Sequence, residues 1–169
     1  EKASRRIAHA IVTARETMPI TSTAQLAKII YSVMPIKKLG QIDPATRSFQ
    51  ALRIYVNREL DELTTGLAAV ESLLKPDGIL AVVSFHSLED RIVKRFLTAR
   101  SQHAARPSRH LPIADGAVPS FDLVSRKALL PTKEECNINS RARSAKLRIA
   151  RRTNAPVYMS SNKETVACG

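Results

Sequence analysis

The residues of this chain best suited to chemistry gather in one short stretch, Ser84-Phe85-His86-Ser87-Leu88-Glu89-Asp90. An imidazole flanked by hydroxyls, just ahead of two carboxylates, offers hydrogen-bonding and proton-exchanging groups near neutral pH. Their setting is one buried strand running into one helix. Ile79 to Val83 is a continuous apolar run, which predicts a strand covered on both faces. Lys75-Pro76-Asp77-Gly78 forms a turn before it. Ser87 is placed to N-cap the helix that follows, with Asp90 three residues on as a near capping box. Glu89 and Asp90 in the first turn, with Lys94 and Arg95 further along, suit the helix dipole. Ser84, His86 and Ser87 then stand at the carboxyl end of a strand in an open α/β sheet, where such folds place ligands. His86 has two readings: it hydrogen-bonds a base or holds a catalytic loop, or it satisfies backbone groups at the strand end. Capping accounts for Ser87, Glu89 and Asp90. There is no glycine-rich phosphate loop, no Cys/His metal spacing and no Ser/His/Asp set that the sequence alone assembles.

The second chemical feature is positive charge. The chain carries a net charge of +12. Arg91 to Arg152 holds 15 Lys and Arg against 4 Asp and Glu, while the stretch before it is nearly balanced. A field this one-sided suits a polyanion, most simply a nucleic acid; the alternative is a solvated basic surface. Arg141, Arg143, Lys146 and Arg148 are the densest candidates for RNA phosphates, with Arg47 and Arg53 added from the long helix. Aromatic residues make up only 4% of the chain, so stacking on several bases is not the main mode, and Phe49, Phe85 and Phe96 read as core.

The positioning elements follow from periodicity. Ser4 to Glu16 is a helix with Ile7, Ala10, Ile11 and Ala14 on one face. Ser22-Thr23-Ala24-Gln25 is a capping box for a second helix, stopped before Pro35. Lys37 to Gln41 is a loop. Asp43-Pro44 opens the strongest helix, and Phe49, Leu52, Val56, Leu60, Leu63, Leu67, Val70 and Leu74 predict one continuous buried stripe, interrupted only at Gly66. Gln102 to Ser120 is aperiodic and reads as a mobile loop. Phe121 to Val124 is a short strand, and Glu134-Glu135 marks a short helical turn. Ala145 to Arg151 alternates apolar and basic residues, which predicts a strand with one solvated face, pairing antiparallel with the first of these. Thr153 to Gly169 reads as a disordered tail.

Two cysteines, Cys136 and Cys168, make neither a disulfide framework nor a metal set, so a reduced cytoplasmic protein is the expectation. No apolar run approaches membrane-spanning length. The chain opens on Glu1-Lys2-Ala3-Ser4, already in a helical pattern, and so reads as the latter part of something longer.

Three stretches carry a resemblance: Asp43-Pro44-Ala45-Thr46-Arg47-Ser48-Phe49-Gln50-Ala51-Leu52-Arg53-Ile54, the segment from Ser84 to Phe96, and Ser140-Arg141-Ala142-Arg143-Ser144-Ala145-Lys146-Leu147-Arg148. In order and spacing they resemble the bacterial 16S ribosomal RNA (cytosine-N4)-methyltransferases, the RsmH (MraW) family, from about Arg5 to Thr153. The resemblance implies a class I methyltransferase that uses S-adenosylmethionine to methylate the exocyclic amine of a cytidine in small-subunit rRNA. It also implies an α/β fold: the C-terminal part of a Rossmann-like sheet plus the end of an inserted helical domain. On that basis residues 1–48 end the helical insertion, 49–153 are the C-terminal part of the methyltransferase domain, and 154–169 are the tail. Asp43 stands where the family usually has His, and Ser140 where it usually has Pro.

The family's glycine-rich cofactor loop, ribose-binding acid and Asp-Pro-Pro-Phe motif fall before Glu1. No cofactor contact or catalytic residue is therefore carried over, and Ser84 and His86 are candidates only for the border of the pocket. The expected partners are 16S rRNA, and either a second copy or the missing N-terminal half. The competing reading, from another class, is a non-catalytic basic RNA-binding module.

Overall fold

The computed structural model describes residues 3–34, 43–101 and 118–157. The expected loop at 37–41, residues 102–117 of the loop expected at 102–120, Cys168, and the tail from residue 158 onward lie outside the described residues; Ser120, at the end of the second loop, is buried. The chain forms two compact units, one ending at Glu59 and the other beginning at Leu60.

The first unit is helical: α1 (Ser4–Thr17), α2 (Thr23–Val33) and α3 (Ala45–Asn57). The capping box at the start of α2 forms as expected. Gln25 donates its backbone N–H to Ser22 Oγ at 3.2 Å, and its side-chain oxygen accepts from Ser22 N at 3.1 Å. Asp43 starts α3 by accepting from Ala45 N at 2.7 Å, and its other oxygen accepts from the Tyr31 hydroxyl at 2.7 Å. That bond raises the Tyr31 pKa above the ordinary phenol value, because the phenol proton is held by a carboxylate. Ile7, Ile30 and Ala45 form the core, with Ile11, Leu26 and Phe49 packed against it.

The long helix does not run unbroken. It stops at Arg58, whose φ of 52° is left-handed, and resumes as α4 (Glu59–Leu73). The Arg53 guanidinium holds Glu59 just past this break through two bonds, at 2.7 and 3.1 Å. The expected single stripe therefore fails in its middle. Leu52 and Val56 are exposed, while Leu63, Leu67, Val70 and Leu74 reach the core of the second unit. Gly66 is not the interruption: it sits inside α4 with open space where a Cβ would be.

The second unit continues through β1 (Ile79–Ser84), α5 (Ser87–Ser101), β2 (Phe121–Leu123), α6 (Lys133–Ile138), a 3-10 turn (Ser140–Ser144) and β3 (Lys146–Arg152). The sheet order is β1-β3-β2, and both pairings are antiparallel. The expected pairing of the last two strands is present, with Leu123 opposite Ala150. Leu67, Leu80, Val93, Leu97, Phe121 and Ala150 are buried between one sheet face and α4 and α5.

Two strand expectations are corrected. β1 is an edge strand among the described residues rather than one covered on both faces: Leu80 and Ser84 are buried, but Ile79 and Val83 are half exposed. On β3 the basic side chains do not all share one solvated face: Arg151 is exposed on the side of Leu147 and Ile149. Lys146, Arg148 and Arg152 lie on the side of the buried Ala150, because Asp90 on α5 and the α4 backbone supply acceptors there. Leu147 and Ile149 take the other face. Thr153 is also not part of a loose tail: its N–H donates to Ser120 O at 3.0 Å and its hydroxyl to Pro119 O at 2.6 Å.

Candidate functional site

The carboxyl end of β1 is closed by a reciprocal cap. Glu89 accepts from Phe85 N at 2.8 Å and from His86 N at 3.2 Å through one carboxylate oxygen, while Glu89 N donates to His86 Nδ1 at 3.3 Å. This is a capping box with His86 in the capping position and Glu89 three residues on. It is displaced by one residue from the expected Ser87–Asp90 pair. The displacement has a cause: Asp90 is engaged elsewhere, accepting from Arg148 Nε at 2.8 Å and Lys146 Nζ at 3.2 Å. The Arg148 hydrogen bond is the chief reason that the Asp90 carboxyl is held below the usual carboxylate pKa.

With Nδ1 accepting a backbone N–H, a neutral His86 carries its proton on Nε2. That nitrogen lies 3.1 Å from Glu89 Oε1 but is not aligned for a hydrogen bond, and it is buried without one among the described residues. Ser84 is buried and directs its hydroxyl to Lys146 O at 3.4 Å. Phe85, expected in the core, is instead 56% exposed beside this corner.

The expected RNA-facing cations fall into three groups. Arg148 is mostly buried in its pair with Asp90, and Lys146 shares that carboxylate while staying partly exposed. Arg53 is paired with Glu59 and Arg47 is exposed, both on α3 in the first unit. Arg141 and Arg143 are exposed on the 3-10 turn, with no acidic partner among the described residues.

The structure adds a buried polar network that the sequence reading overlooked. Glu71 on α4 is 1% exposed; it accepts from Arg100 Nε at 2.5 Å and from Ser120 Oγ at 2.6 Å. Arg152 donates to Glu71 O at 3.2 Å and to Ser120 O at 3.0 Å. Arg100 also lies 3.8 Å over the Phe96 ring. The available signal was spacing: Glu71 falls four residues after Leu67, on the same helical face.

The chain matches the MraW methylase family over residues 1–153. A ribosomal RNA small subunit methyltransferase H of Paramagnetospirillum magneticum is 59% identical over 160 residues, covering 94% of this chain and 50% of that protein. Proteins of the same name from a Caulobacter species and from Dinoroseobacter shibae are 56% and 57% identical, over 94% and 92% of this chain. The chain spans about half the length of the curated relatives it matches.

Proposed function

Because the chain belongs to the MraW methylase family, we propose that it serves S-adenosylmethionine-dependent methylation of a cytidine N4 amine in 16S rRNA. The observation that carries this is the identity of 59% over 94% of the chain to a protein named for small-subunit rRNA methylation. The dense positive charge of the second unit is consistent with an RNA substrate.

When bound, S-adenosylmethionine supplies an electrophilic methyl group on a sulfonium. The described residues do not themselves fit an adenosine cradle. The turn from β1 into α5 contains no glycine, and its backbone N–H groups at Phe85 and His86 are taken by Glu89. The cofactor's contacts belong mainly to the half of the relatives that this chain does not match. Ser84 and His86 border the reacting pocket from the β1 end in this reading. The half-exposed apolar face carrying Ile79 and Val83, together with the free edge of β1, is where the rest of a Rossmann-like sheet packs. Residues 1–48 are the end of the domain inserted in that sheet. No described helix is long and apolar enough to cross a membrane.

The test is nucleoside mass spectrometry of small-subunit RNA from cells with the gene intact and disrupted. N4-methylated cytidine disappears on disruption if the reading is right; unchanged modification overturns it. Calorimetric titration separates the competing RNA-binding reading. This chain alone gives no heat with S-adenosylmethionine, whereas a protein of the relatives' full length does.

A further inference from the structure

A groove of about 510 Å³ opens between α5 and the segment after β2, lined by Lys94, Thr98, Ser101, Leu123 and Arg126. Lys94, Thr98 and Ser101 recur at steps of four and three, so one face of α5 supplies one wall. Arg126, just past β2, supplies the other. Both cations are exposed, and neither has an ion-pair partner among the described residues. Among the described residues no acid lines the groove. Asp122 is adjacent in β2 to Leu123 and therefore sits on the opposite sheet face.

From this arrangement we propose that the groove is a docking surface for the phosphodiester backbone of the RNA substrate, an inference that rests on the RNA-methylating function proposed above. The two cations offer charge-assisted contacts to phosphate oxygens, and the Thr98 hydroxyl is a neutral donor beside them, the Ser101 hydroxyl being given to Thr98 O at 3.5 Å. The carbonyl end of α5 contributes a partial negative charge of about half a unit, which the two full positive charges outweigh. Leu123 gives an apolar floor against which a ribose can rest. The surface reads shape and charge without base identity, so it positions the RNA while the β1 end meets the reacting base.

The experiment uses the full chain and a fluorescently labelled single-stranded fragment of 16S rRNA, with affinity measured by anisotropy over a salt series. Replacing both cations, K94A with R126A, removes two phosphate contacts. The slope of log affinity against log salt falls by about 1.4, and affinity at 0.1 M salt falls about tenfold. The denaturation midpoint stays at the parent value, because neither side chain is buried. The charge-conserving pair K94R with R126K restores the slope.

If the parent binds RNA and the double variant keeps the parent slope, the groove proposal is overturned and the RNA function stands. A parent without salt-dependent RNA binding removes both.

Discussion

Replacing Glu71 with Ala tests what holds α4, α5 and β2 in register. In the native protein the Glu71 carboxylate is buried, with Arg100 on one oxygen and Ser120 on the other. Ser120 is fully buried and the Arg100 side chain is 14% exposed, so neither partner regains water when the carboxylate is lost. Breaking a buried pair from one side costs about 3–5 kcal/mol, because the remaining charge keeps its desolvation without its counterion. The orphaned Ser120 hydroxyl costs about 1–3 kcal/mol by itself. The two costs belong to one network and do not add in full, and Arg100 keeps its stacking on Phe96.

A loss of about 4 kcal/mol is therefore expected, against a typical total of about 5–15 kcal/mol. Urea denaturation followed by circular dichroism gives the number, read from the midpoint at unchanged slope. Removing both charges, E71L with R100M, recovers much of the loss, because no unpaired buried charge remains. A loss below about 1 kcal/mol for E71A, the worth of an ordinary solvent-exposed ion pair, would refute the view that this network is desolvated and structural. Arg100 lies between Thr98 and Ser101 on α5, and Ser120 directly precedes β2, so E71A also loosens the two walls of the basic groove. Weaker RNA binding without a change in charge at the groove is the accompanying result.

Asp90→Asn tests the tie between α5 and β3 by pH. The native Asp90 pKa is depressed, so its stabilisation is present above the unfolded carboxylate value and is lost as pH falls through the native value. In D90N that part of the acid dependence disappears, and stability at pH 7 falls by about 1.5–3 kcal/mol, readable from urea midpoints taken from pH 7 down to about 3. Gly78→Ala places a Cβ 2.8 Å from Lys75 O, a backbone atom in the turn that hydrogen-bonds Arg152, and lowers stability by about 1–3 kcal/mol in the same assay. Ser22→Ala removes the capping-box acceptor of α2 and costs about 1 kcal/mol, measured as a fall in the melting temperature of the helical unit.

What the sequence made legible was local. Ser22 with Gln25, Asp43 before α3, and the apolar run of β1 each specify their element within a few residues, and each element is present. What it hid depended on partners distant in the chain. Nothing local places a left-handed residue at Arg58, so a stripe with steps of three and four looked continuous across a break. The alternation of β3 was visible, but which face meets solvent is decided by Asp90, 56 residues before Lys146. An apolar-and-basic strand is ordinarily oriented apolar side inward; here the acceptors on the helical side reverse that for Lys146 and Arg148. At the strand end the residue types were read correctly as capping groups, but the register was not. Ser87–Asp90 and His86–Glu89 have the same spacing, and only the demand of β3 for Asp90 selects between them.

The same competition governs which cations are available to the proposed RNA partner, and a charge count cannot resolve it. Arg148 and Arg152 belong to the most basic part of the sequence, yet both are committed inside the unit, to Asp90 and to backbone carbonyls. Lys146 is shared between Asp90 and solvent, and Arg100 is committed to Glu71. A guanidinium already desolvated against a carboxylate gains little from a phosphate, since the new contact must first break the old one. An exposed, unpartnered cation has no such cost, and releases counterions from the RNA in full. By that criterion Lys94, Arg126, Arg141 and Arg143 are candidates for the proposed RNA contacts, together with the exposed Arg91, Arg95, Lys127, Lys133 and Arg151, although only Arg141 and Arg143 of the first four stand out in the sequence. Lys146 and Arg148 instead fix β3 against α5 and so set the geometry of the surface on which the other cations are presented.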